Sequence, residues 1–135
     1  MSEKKLILAL VPNLMTSTRI ESVVEKLGFD FLEIASLNDE IGDNPSEAGF
    51  SFWESIAPRD PVLIIFDLGT SAIPWEMLIQ QLKASSVSKD IPLICFGPHV
   101  DGEAFKSARR AGADVVVARS KFMSDLPNLI TNSLS

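Results

Sequence analysis

Hydrophobic and polar positions along the chain alternate between two spacings. Residues 6–11, Leu-Ile-Leu-Ala-Leu-Val, form an unbroken apolar run closed by Pro12, the pattern of a strand covered on both faces. Ile20, Val23, Val24 and Leu27 then fall at i, i+3, i+4 and i+7, one stripe of a helix, and Gly28 stands where a left-handed cap would end it. Residues 29–35 read as a second strand. Asn44-Pro45-Ser46-Glu47 supplies a cap, a first-turn proline and a carboxylate, which predicts a helix over 45–57 with Phe50, Trp53 and Ala57 toward the core. Residues 62–66 form the most apolar strand and deliver Asp67 at its end. Trp75, Leu78, Ile79 and Leu82 repeat the helical stripe, and residues 91–96 form a fourth strand ending at Gly97-Pro98. Ala104, Phe105, Ala108 and Ala111 give a smaller-faced helix closed by Gly112. Residues 114–118 are a β-branched strand. Leu126, Leu129 and Ile130 belong to a last helix, with Ser124 as its expected cap and Pro127 in its first turn.

Strand and helix thus alternate five times. That order predicts an α/β domain: a doubly wound parallel sheet of five strands with five helices on its two faces. Composition agrees and narrows the class. The chain has 135 residues, 46% of them hydrophobic and 22% charged, with a net charge of -6, so one domain spanning 1–135 is expected, not a disordered chain. A single Cys95 builds no disulfide framework, and no apolar run reaches the roughly 18 residues of a membrane span. The first residues lack the small-residue cleavage site of a secretory signal, and a pI near 4.7 argues against nucleic acid as a partner. A cytoplasmic protein is the expectation.

In doubly wound sheets ligands sit beyond the C-terminal ends of the strands, where strand order reverses. Four loops are nominated on that rule. The first holds Pro12, Asn13, Thr16 and Ser17, and the second Asp67, Gly69, Thr70 and Ser71; the third holds Gly97, Pro98 and His99, and the fourth Arg119, Ser120 and Lys121. Ordinary duties compete for most of them. Asp67 would serve equally as a turn residue, Thr70 and Ser17 as caps, and the lone His99 as a surface residue. Cys95, in an apolar strand without a basic neighbour in sequence, reads as a buried inert thiol. No Gly-rich phosphate loop, no nucleophile–base pair and no metal-ligand spacing is present, so neither an enzyme nor a resident cofactor or metal is expected.

Three segments in order carry a more specific signal: Pro61-Val62-Leu63-Ile64-Ile65-Phe66-Asp67, Ile91-Pro92-Leu93-Ile94-Cys95-Phe96 and Ala111-Gly112-Ala113-Asp114. With them the chain resembles a response-regulator receiver domain over nearly its whole length. The resemblance implies a flavodoxin-like sheet of order 2-1-3-4-5 and places the phosphoacceptor aspartate of the family at Asp67. It also exposes departures. Where the family keeps an acidic pair for Mg²⁺ this chain has Val11, Pro12 and Asn13, and no Asp or Glu occurs between Glu3 and Glu21. The family's hydroxyl position corresponds to Gly97, its lysine to Arg119 and its aromatic switch position to Val116. Mg²⁺ wants one or two carboxylates, and phosphoryl transfer rests on positioning and charge neutralisation. The expectation is therefore a degenerate receiver in which Arg119 pairs, bidentately, with Asp67 in place of the metal.

The function implied is that of a stand-alone pseudo-receiver with no DNA-binding output domain, a protein-interaction module in bacterial signal transduction and phosphorelay pathways. Its partners would be other signalling proteins, or a second copy through the fourth helix, fifth strand and fifth helix, with neither nucleic acid nor membrane involved. Charge distribution bears on that surface. Residues 29–60 hold eight acids against one arginine, whereas 102–121 hold five bases against two acids. Lys106, Arg109 and Arg110 are either a solvated face or part of the interface. Two alternatives stand beside this reading: an atypical receiver phosphorylated at Asp67, and a flavodoxin-like domain that takes a small anionic metabolite or nucleotide among Asn13, Ser17, Asp67, Thr70, His99 and Arg119.

Overall fold

The computed structural model describes residues 4–35, 53, 56–70, 72–98 and 102–134. Five parallel strands, β1 (Leu6–Leu10), β2 (Asp30–Glu33), β3 (Pro61–Asp67), β4 (Leu93–Gly97) and β5 (Val115–Ala118), form one sheet in the order β2-β1-β3-β4-β5. The described helices are α1 (Leu14–Lys26), α2 (Trp75–Ala84), α3 (Gly102–Ala111), α4 (Arg119–Ser124) and α5 (Leu126–Ser133). Most of the helix predicted over 45–57, including Phe50, lies outside the described residues. At its end Trp53 packs against the core and donates its indole N–H to Leu78 O at 3.3 Å. The core position there is Ile56, whereas Ala57 is exposed and opens a 3₁₀ turn, Ala57–Arg59.

Period-two alternation along the buried strands sorts their side chains into two cores. On one face Leu8, Leu10, Ile64, Phe66 and Cys95 meet α2 and α3. On the other, Ile7, Ala9, Leu63, Ile65 and Phe96 meet Ile20 and Val24 of α1 and Phe122, Leu126 and Ile130 of α4 and α5. Leu6 to Val11 and Leu63 to Phe66 are all buried, as a sheet covered on both sides requires. Pro61 opens β3, where its missing N–H costs no ladder bond, and the register with β1 shifts between Leu6 and Ile7.

Caps close the helices largely where the sequence places them. Gly28 and Gly112 adopt φ of 92° and 123°, and Gly112 N donates to Ala108 O and Arg109 O. The stripe of α1 is corrected at its end: Leu27 is the C-cap and exposed, while Thr16 and Ser17 are buried instead. Ser124 does not cap the last helix. It ends α4, its hydroxyl donating to Lys121 O, and Asp125 takes the cap position of α5.

Candidate site at the sheet's switch point

Strand order reverses between β1 and β3, and the loops leaving these two strands meet there. Pro12 follows β1, and Asn13 caps α1 by accepting Thr16 N at 3.0 Å. β3 carries Asp67 to its last position, 4% exposed. One carboxylate oxygen, Oδ1, accepts Gly69 N at 2.8 Å and so folds the following turn over the aspartate. The other, Oδ2, faces Arg119 Nη2 at 3.4 Å.

Arg119 is the first residue of α4, immediately after β5. It makes a single contact with Asp67, not the bidentate one expected. Its second terminal nitrogen, Nη1, donates to Thr16 Oγ1 at the shorter distance of 3.0 Å, and its guanidinium carbon lies 5.2 Å from the centroid of the Phe96 ring. Phe122 stacks on the same ring, its centroid 4.2 Å from that of Phe96. The guanidinium thereby joins α1, β3 and β4 through a hydrogen bond, an ion pair and a cation–π contact. Its side chain is 42% exposed, so water screens the pair.

The remaining predicted residues divide. Ser17 is not available to a ligand: it is buried, and its hydroxyl donates to Glu33 Oε2 at 2.9 Å, with Leu14 O as a competing acceptor at 3.2 Å. Thr70 Oγ1 accepts Ala72 N at 3.0 Å, a turn contact. Gly97 is closely enclosed, since a Cβ there would stand 3.2 Å from Leu68 Cβ and 3.5 Å from Phe105 Cε1. A hydroxyl side chain at 97 therefore requires its neighbours to give way. Ser120 is exposed on α4, and Val116 is half-buried on β5. Lys106, Arg109 and Arg110 are exposed on α3, the fourth helix of the sequence reading, away from the Asp67 pair. His99 and Ser71 lie outside the described residues. Glu33, at the end of β2, is the residue that sequence reasoning missed; its signal was an acid at a strand end beside the α1 loop.

Mg²⁺ does not fit this donor set. Val11 is buried and apolar, Pro12 has no donor side chain, and the Asn13 oxygen is spent on the cap. The carboxylate of Glu33 is engaged by Ser17, and a cation already faces Asp67. Among the described residues no group of three or more His, Cys, Asp or Glu could hold a metal ion.

No protein-family model matches the sequence, and no curated protein matches it. Solved structures do. A Chloroflexus aurantiacus J-10-fl protein assigned as a response regulator superposes with a TM-score of 0.77 at 18% identity, covering 98% of each chain. The signal receiver domain of a signal transduction histidine kinase from Syntrophus aciditrophicus gives 0.75 at 17% identity, over 96% of this chain and 89% of its own. An orphan response regulator of H. pylori gives 0.72 at 18%, covering 97% of both. Strand order, strand-end aspartate and these three likenesses agree, and the fold of this chain is that of a response-regulator receiver domain.

Proposed function

We propose that the single receiver-like domain spanning 1–135 is a pseudo-receiver: a non-enzymatic interaction module in signal transduction that is not switched by Mg²⁺-dependent phosphorylation of Asp67. One observation carries the reading. Both oxygens of Asp67 are engaged, by Gly69 N–H and by the Arg119 guanidinium, beside a loop whose residues 11–13 contain no acid. A phosphoryl group reaching Asp67 would have to displace the arginine and would find no divalent ion to bridge its oxygens to the acceptor. The receiver fold supports a signalling role. Partner recognition through the basic face of α3 with β5, α4 and α5 is part of the same proposal, as is a cytoplasmic setting; among the described residues no helix is long and apolar enough to cross a membrane.

Incubation with acetyl phosphate and Mg²⁺, followed by intact-mass measurement, tests the reading. The mass is expected to stay unchanged. Stoichiometric, acid-labile phosphate that disappears in Asp67→Asn would refute it and establish an atypical phosphorylated receiver.

A further inference from the structure

At the opposite end of the sheet from Asp67 lies a cavity of about 260 Å³. Its walls come from β3, α2, the 3₁₀ turn and the segment leading into β4. Trp53, Ile56, Ile64, Leu82 and Ile91 supply the apolar surface, and Ser85, Val87 and Ser88 are among the residues around it. Ile64 and Leu82 are fully buried and lie behind its wall, whereas Trp53 and Ile91 are half-buried and Ile56 is 7% exposed. Pro61 and Ile64 of β3 line the cavity, and Asp67 ends that strand three residues beyond Ile64, about 10 Å further along.

Native interiors hold few voids larger than a water molecule, and an apolar cavity of roughly 150 Å³ is already enough to bind benzene. A space of about 260 Å³ walled by an indole and branched aliphatic groups suits one six-membered ring with a short substituent. The charge of the occupant follows from the lining. Among the described lining residues there is no Lys or Arg, and Asp60 is the one acidic residue. Asp60 is also the one described non-glycine residue with positive φ, 52°, a conformation that is uncommon outside Gly, Asn and Asp. A negative charge at Asp60 would repel an anion, but not a neutral molecule or a cation.

We propose that this cavity is a binding site for a small aromatic molecule that is neutral or cationic, its ring against Trp53, Ile56 and Ile91 and its polar end toward Asp60. The site is independent of the Asp67 pair and of the role proposed for it.

Three probes sharing one ring test it on the full chain: phenethylamine, phenethyl alcohol and phenylacetate, each followed by methyl NMR. Saturable shifts are expected at the methyls of Ile56, Ile64, Leu82 and Ile91, with the amine at least tenfold tighter than the acetate. Asp60→Asn, which tolerates the same backbone conformation, is expected to retain ring binding and to lose the preference for the amine. Absence of saturable shifts at these methyls with all three probes would overturn the site. Equal affinity for amine and acetate in the unaltered protein would overturn the assigned charge class.

Discussion

At the scale of single residues, burial sets the chemistry of Cys95 and exposure that of Arg119. Burial, with a smaller contribution from the Asp114 charge, pushes the Cys95 thiol up to about 12 from an ordinary 9.0. Between those two values the unfolded thiol ionises and the folded one does not. The stability this group contributes is therefore full below pH 9 and is lost as pH rises toward 12, about 4 kcal/mol in all. Denaturant midpoints at pH 7 and pH 10 should fall further for the unaltered protein than for Cys95→Ala; equal falls would remove the argument. The Asp67–Arg119 pair behaves differently, because one partner is 42% exposed. A double-mutant cycle with Asp67→Asn and Arg119→Ala should give a coupling of about 1 kcal/mol, shrinking with added salt. Asp67 and Arg119 were legible as candidates because both stand at strand ends. Thr16 was nominated on its loop, but its bond to Arg119 was not legible, since that contact spans 103 residues and depends on how α1 is capped. Nor was the burial of Ser17, which follows from Glu33 reaching across from β2.

At the scale of elements, the strands were the most legible because a sheet covered on both faces writes itself as apolar runs. Helix ends were less so. Ser124 and Asp125 are adjacent and both can cap, and the choice falls to Asp125, where the chain breaks between α4 and α5. Two glycines show how packing adds to backbone preference. Gly28 and Gly112 both have positive φ, but a Cβ at Gly28 meets nothing within 4 Å, whereas one at Gly112 stands 2.6 Å from Lys83 Cγ. Lys83 cannot easily withdraw. Its ammonium donates to Lys89 O and Ile91 O at 3.0 Å and pairs with Asp114 Oδ2 at 3.2 Å, while that same oxygen accepts Leu93 N at 2.8 Å and ties β4 to the residue before β5. Gly28→Ala should cost about 1 kcal/mol, the backbone term alone. Gly112→Ala should cost about 1–3 kcal/mol more, since an overpacked site adds to it. Urea unfolding of the two variants checks this, and equal losses would mean that Lys83 relaxes freely. The Ala-Gly-Ala-Asp segment thus has a structural reason in this chain, independent of any signalling role.

At the scale of the whole molecule, charge is what distinguishes one surface from another. A chain of net charge -6 concentrates bases on α3 and around α4, with Lys106, Arg109 and Arg110 exposed. Such a face attracts acidic partners and repels basic ones, and its effect is mainly on the rate of association. Each charge reversal changes the total by two, so Arg109→Glu with Arg110→Glu takes the net charge from -6 to -10. Arg19→Glu with Lys26→Glu, both exposed on α1, makes the same change on a different surface and serves as the control. If α3 belongs to the partner-binding face, only the first pair weakens partner capture or self-association, by about tenfold at low salt. The difference should vanish near 1 M salt, where the screening length falls to about 3 Å. Sedimentation velocity reads self-association, and surface capture of an isolated partner reads the other case. Equal losses in both double variants would mean that net charge, not the α3 face, governs association. No loss in either would leave Arg109 and Arg110 as a solvated helix face, and the interaction surface would have to be sought elsewhere on the domain.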